Sequence, residues 1–299
     1  MKAVDALMTG LVDYAGLFPP AGEGMRAALE HYASYATGPD RRALGRFIVP
    51  VGRLGELEEQ GRDLMPRGNS ADPWHLSALV AEDVTSAVGQ ISRFNREHAS
   101  ASRGRAIIDT VEMKATTADQ VRGQQRELPP ECTPYFEIPL SGDVSSLVSA
   151  MAKLGVRAKV RTGGVAANAF PAADKLADFI VACARERLPF KATAGLHHPL
   201  RGEHRLTYEP DSETAFMYGF VNVFLASAMV YAGESEETCI AVLQESEPTA
   251  FVFEDSGIRW RNKTVTTAQV AAARSKFAIA FGSCSFREPV DELATLTRH

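Results

Sequence analysis

From residue 46 to residue 194 short apolar runs alternate with stretches of helical periodicity, and few folds accept that pattern. The runs lie at 46–50, 75–80, 105–113, 135–140, 158–162 and 190–194, and the helical stretches at 54–64, 83–97, 117–126, 144–154 and 172–187. Thr117 stands where a helix N-cap is wanted. Strands separated by helix-length segments pair in parallel, because the intervening helix carries the chain back to the same end of the sheet. Six such strands in 299 residues predict an α/β protein, a (β/α)8 TIM-type barrel. The first barrel strand is expected near 14–18, and the last at 218–225 or 251–254. An open doubly wound sheet is the runner-up, but no glycine-rich dinucleotide fingerprint follows an early strand.

The chain reads as one domain over 1–299, with C-terminal elaborations in 206–299. Residues 213–232 are apolar enough for a bilayer span of about 20 residues, yet Glu213, Asn222 and the acidic run 234–237 favour a buried helix. Residues 250–260 read as a hairpin turning at 255–257, followed by a helix over 267–281 and a polar loop over 281–289. A net charge of −5 offers no basic excess for a nucleic-acid partner. No run reads as a membrane span, and Asp5 and Asp13 interrupt any secretory signal. Cys132, Cys183, Cys239 and Cys284 are widely spaced, so they read as reduced thiols of a cytoplasmic protein.

Two segments carry most of the chemistry: 157–164 (Arg-Ala-Lys-Val-Arg-Thr-Gly-Gly) and 188–199 (Leu-Pro-Phe-Lys-Ala-Thr-Ala-Gly-Leu-His-His-Pro). Alternate strand residues share a face, so Lys159 and Arg161 oppose Ala158 and Val160, while Lys191 and Thr193 oppose Phe190, Ala192 and Ala194. The small apolar faces suit helix packing, which turns the lysines into the barrel. A buried lysine is costly unless it is paired or used. The same phase brings Asp109 or Glu112, and Glu137 with Tyr135, to the cavity. A lysine beside another cation has its pKa lowered and attacks carbonyls, with a carboxylate moving protons. Thr162, Gly163 and Gly164 would place backbone N–H groups around an anion, with Arg161, and further on Arg201 and Arg205, supplying charge.

Lys159 and Lys191 in these settings resemble the two lysine strands of deoxyribose-phosphate aldolase and related class I aldolases. That resemblance implies that Lys159 forms a Schiff base with substrate and Lys191 tunes it. It also implies that Asp109, in Ile-Ile-Asp-Thr-Val, joins a proton relay. Residues 281–286 (Phe-Gly-Ser-Cys-Ser-Phe) are similar to the family's late phosphate loop. The agreement covers about a third of the chain. The lysine strands taken with 13–20 (Asp-Tyr-Ala-Gly-Leu-Phe-Pro-Pro) and 281–286 also resemble a bacterial family whose likeness implies no activity.

His197 and His198 follow the second lysine strand, with His204 close behind. One of the pair is expected to act as acid, base or anion contact. Alternatively, His197 or His198 with Glu137 holds a divalent metal in a lyase, isomerase or hydrolase. Asp13 is a candidate for the barrel mouth, although its aromatic segment also fits a plug at the barrel bottom. Cys284 reads as an ordinary thiol, and the apolar stripe 216–224 as a packed or subunit-facing helix of a monomer or homo-oligomer. The leading expectation is an enzyme acting on a small anionic carbonyl compound, a Schiff-base lyase with no cofactor. A non-catalytic metabolite-binding barrel is the third reading.

Overall fold

The computed structural model describes residues 2–68, 71–81, 83–100 and 102–297. The chain opens with helix α1 (Ala3–Met8), strand β1 (Val12–Tyr14) and helix α2 (Met25–Thr37). Strict alternation follows: β2 (Leu44–Pro50), α3 (Leu54–Gln60), β3 (Trp74–Leu79), α4 (Val84–His98), β4 (Ala106–Lys114) and α5 (Ala118–Glu127). It continues through β5 (Thr133–Glu137), α6 (Val144–Leu154), β6 (Arg157–Arg161), α7 (Ala173–Arg185) and β7 (Phe190–Thr193). Local chemistry sets these boundaries. Asp83, Thr117 and Asp143 cap α4, α5 and α6 by accepting the N–H of Ser86, Gln120 and Ser146, donors a helix start otherwise leaves unpaired.

Between β7 and the last barrel strand lie a hairpin, β8 (Gly202–Arg205) and β9 (Thr214–Met217), and two helices, α8 (Phe220–Tyr231) and α9 (Glu236–Gln244). An antiparallel sheet of β10 (Phe251–Glu254), β11 (Gly257–Trp260) and β12 (Lys263–Thr266) comes next, then α10 (Thr267–Lys276). Strand β13 (Ala278–Ser283) and helix α11 (Arg287–Leu296) complete the fold. Eight parallel strands close into a barrel, with β13 bonded to both β7 and β1. The α/β barrel expected from the alternation is therefore present.

Three sequence expectations are corrected here. The first barrel strand lies at 12–14, ahead of 14–18. The eighth is β13: residues 218–225 fall mostly in α8, and 251–254 form an edge of the separate three-stranded sheet. The helix expected over 267–281 stops at Lys276, and the following residues turn to extended chain because Ala278, Phe281 and Gly282 pair with β7. The additional elements thus sit inside the barrel's connectivity, between its seventh and eighth strands.

The apolar core lies between the outer strand faces and the helices. Ala158, Val160, Phe190 and Ala192 are fully buried there, as their phase requires. Phe179 of α7 meets Phe190 edge-on at 5.3 Å, and Phe220 of α8 stacks on Phe281 at 5.4 Å. Among the described residues no helix is long and apolar enough to cross a membrane. Instead α8 is buried in the protein, where Asn222 accepts the Arg201 N–H and donates to the carbonyls of Val242 and Glu245. From Met217 to Phe224 the apolar stripe is packed within the chain's own fold, whereas Phe216, on β9, is exposed.

Candidate functional site

Barrels of this kind fill their interior with branched apolar side chains. This one buries Asp13, Ser77, Glu112, Lys159 and Lys191 instead. Their strands explain the placement: Lys159 of β6 is in register with Glu137 of β5 and Lys191 of β7, so all three point to one interior. Lys159 Nζ lies 2.8 Å from Glu112 Oε2 and 2.9 Å from Glu137 Oε2. Lys191 Nζ donates to Asp13 Oδ2 and Glu112 Oε1, each at 2.5 Å. Ser77 Oγ donates to Glu112 (2.7 Å), the Arg46 N–H to Asp13 (2.7 Å) and Arg161 Nε to Glu137 (3.1 Å). An unbroken chain runs from Asp13 through Lys191, Glu112, Lys159 and Glu137 to Arg161. Its three carboxylates balance its three cations, the condition under which buried charge is tolerated.

Burial alone would lower the Lys191 ammonium, yet Asp13 and Glu112 overrule it and hold the group above the usual lysine range. The expectation that a neighbouring cation depresses a lysine is thus reversed at Lys191, because two carboxylates bond directly to its ammonium. Burial would raise Glu112, but Lys159 and Lys191 hold it well below the carboxylate range. Glu137 is likewise lowered against its burial by Lys159 and Arg161.

A cavity of about 350 Å³ opens above this chain at the C-terminal ends of the strands, the end where barrels carry their sites. Glu112, Glu137, Lys159, Arg161, Gly164, Thr193 and His197 line it, with Lys114 and Cys284. Lys191 lies beneath and does not line it. Ala15, Phe18, Pro19 and Pro20 form part of the wall, so the aromatic segment after β1 sits at the mouth and is no plug at the bottom.

Asp109 is not part of this site. Leu76 pairs with Ile108 but Ser77 pairs with Thr110, so Asp109 is an extra residue that shifts the phase of β4. The shift lets Asp109 and Glu112 both face inward at different heights. Asp109 is bound near the opposite end by Arg46 (2.6 Å) and His75 (2.7 Å), which hold it down to about 2 against the effect of burial. Glu112 takes the place expected of it.

Thr162 and Gly163 do not line the cavity. Thr162 Oγ1 donates to the carbonyl of Ala194 (2.6 Å), which holds Ala194 at a φ of +65°, a conformation costly for any residue with a Cβ. A Cβ on Gly163 would lie 2.4 Å from the Phe170 ring, so that glycine serves packing. His198 turns away to Glu292 (2.9 Å) and stacks on His204 at 3.5 Å. His197 is bound by Glu288 (3.0 Å), and Glu137 by Lys159 and Arg161. The trio His197, His198 and Glu137 is therefore not assembled. Among the described residues no three His, Cys, Asp or Glu side chains are grouped to hold a metal ion.

Sequence reasoning left Ser77 unnoticed and gave Asp13 no partner. The signal for Asp13 was an acid between apolar neighbours in a strand-like start (Leu-Val-Asp-Tyr), but Lys191 lies 178 positions away. Fold and site together define a closed parallel barrel with a buried lysine–carboxylate chain beneath its cavity. No family model, curated protein or solved structure matches this chain.

Proposed function

We propose that the chain is a barrel lyase of the aldolase type, acting on a small anionic carbonyl compound through a Schiff base on Lys159. One observation carries this: of the two buried lysines only Lys159 lines the cavity, its ammonium shared by Glu112 and Glu137. Glu137 takes a proton from the ammonium, and the freed amine attacks the carbonyl carbon. The former carbonyl oxygen takes that proton from Glu137 and a second from the attacking nitrogen and leaves as water, which yields a protonated imine. When the bond between the next two carbons (α and β to the imine carbon) breaks, its electron pair moves through the α carbon onto the imine nitrogen and leaves an enamine. The departing fragment gives up its hydroxyl proton to Glu137 and leaves as a carbonyl. Glu137 returns that proton to the enamine carbon, and water hydrolyses the imine to release the second fragment and Lys159.

Lys191 stays protonated and keeps Glu112 ionised. Arg161, half-exposed at the rim, pairs with the substrate's anionic group. The chemistry needs no organic cofactor. All four cysteines are unpaired, which supports a reducing, cytoplasmic setting.

Borohydride trapping with glyoxylate, pyruvate and glycolaldehyde, read by peptide mass spectrometry, tests the proposal. A borohydride-dependent adduct on Lys159, lost in Lys159→Met, is the expected result. No adduct from any of these carbonyls sinks the Schiff-base reading. A captured compound that is never turned over would make the protein a metabolite-binding barrel.

A further inference from the structure

The cavity holds a second group of reactive side chains that the Schiff-base chemistry leaves idle. Cys284 follows β13 and is 5% exposed, with its Sγ 4.0 Å from both ring nitrogens of His197. His197 Nδ1 lies 3.0 Å from Glu288 Oε2, in the first turn of α11. Tyr208 Oη donates to the same carboxylate oxygen (3.1 Å) and lies 3.8 Å from the sulfur. Thiol, imidazole and carboxylate thus stand in the order that activates a cysteine nucleophile. Both Cys284 and His197 line the cavity that Lys159 enters.

The other thiols form an internal contrast. Cys132, Cys183 and Cys239 are buried, none lines the cavity, and none has a histidine partner among the described contacts. Burial pushes Cys132 and Cys239 up to about 12. His197 is held up to about 10, against its burial, by Cys284 and Glu288, so its ring carries a proton near neutrality.

We propose that Cys284, with His197 and Glu288, is a second nucleophilic centre of the cavity that adds reversibly to the carbonyl carbon of a small aldehyde acid. A sulfur–carbon bond forms as the carbonyl π pair moves to oxygen. His197, held by Glu288, gives its ring proton to that oxygen, and the thiol's proton replaces it on the ring. The hemithioacetal contains every atom of both reactants and needs no oxidant or further reactant. The ligand class rests on the Schiff-base reading, whereas the reactivity of the thiol does not involve Lys159. A cavity of about 350 Å³ takes one small metabolite at a time, so thiol and amine address the same bound molecule.

The test is iodoacetamide labelling of the full chain at pH 7, with each cysteine followed by peptide mass spectrometry. Cys284 is expected to label at least tenfold faster than the other three cysteines. His197→Gln slows it at least tenfold with an unchanged circular-dichroism spectrum. Glu288→Gln, the second variant should His197→Gln not fold, slows it several-fold. Glyoxylate is expected to protect Cys284 even in Lys159→Met, where the proposed imine cannot form. Labelling that is equally fast in a folded His197→Gln or Glu288→Gln protein overturns the proposal, as does absence of protection in Lys159→Met. Protection of Cys284 with no borohydride adduct on wild-type Lys159 supports the thiol centre while removing the Schiff-base reading.

Discussion

Lys191 is 1% exposed and lies 2.5 Å from each of two carboxylates, so its cost in the fold is set by those partners. Lys191→Met keeps much of the volume but leaves Asp13 and Glu112 sharing an uncompensated buried charge. Breaking a buried pair from one side costs about 3–5 kcal/mol, and the urea midpoint is expected to fall accordingly. A midpoint within experimental error of wild type would refute this account of the chain of charges. Asp109→Asn is expected to leave the rate of borohydride labelling at Lys159 unchanged, because Asp109 is committed to Arg46 and His75. Strand alternation made the inward direction of both lysines legible in the sequence. It could not separate Asp109 from Glu112, since residues three apart share a face only when a bulge intervenes, and Ile-Ile-Asp-Thr-Val contains no glycine to mark one.

Helix α11 fastens the segment after β7 through two carboxylates one turn apart: Glu288 holds His197 and Glu292 holds His198. His197 is held up to about 10 from its ordinary 6.5, so its stabilising contribution is complete below 6.5 and is lost as pH rises toward 10. Glu288 is held below its ordinary 4.5, against its burial, by His197 and Tyr208, so its contribution is present above 4.5 and fades on acidification. Thermal unfolding from pH 6 to 10 is therefore expected to show a decline that is shallower in Glu288→Gln. Parallel curves for the two proteins would show that the pair contributes nothing. Neither this helix nor β13 was legible. Residues 267–281 lack a glycine or proline before Gly282, and the helix ends instead on Phe277, whose extended successors are selected by β7 across the barrel. The helix beginning after Asp143, whose two ends carry an aspartate cap and a glycine, was legible to the residue.

At the scale of the whole molecule, closure joins β1 to β13 across almost the full sequence. A chain ending at Lys276 keeps seven barrel strands but leaves the paired edges of β1 and β7 open. Such a chain is expected to show no cooperative unfolding transition by circular dichroism, and a sharp wild-type-like transition would show that the barrel tolerates an open seam. The alternation alone revealed the architecture because six strands joined by five helices are enough to specify it. The insertion between β7 and β13 hid the seam, since its own strands compete for the role of the eighth. Closure also has a consequence for how the protein is made. Asp13 is translated long before Lys191, and Lys191 long before Ser283, which pairs with the strand of Asp13. On the ribosome the lysines emerge before the barrel that enfolds them can shut, so the cavity takes shape only once residue 283 is out. Synthesis itself thus keeps Lys159 and Lys191 outside a closed cavity until the chain has grown past residue 283.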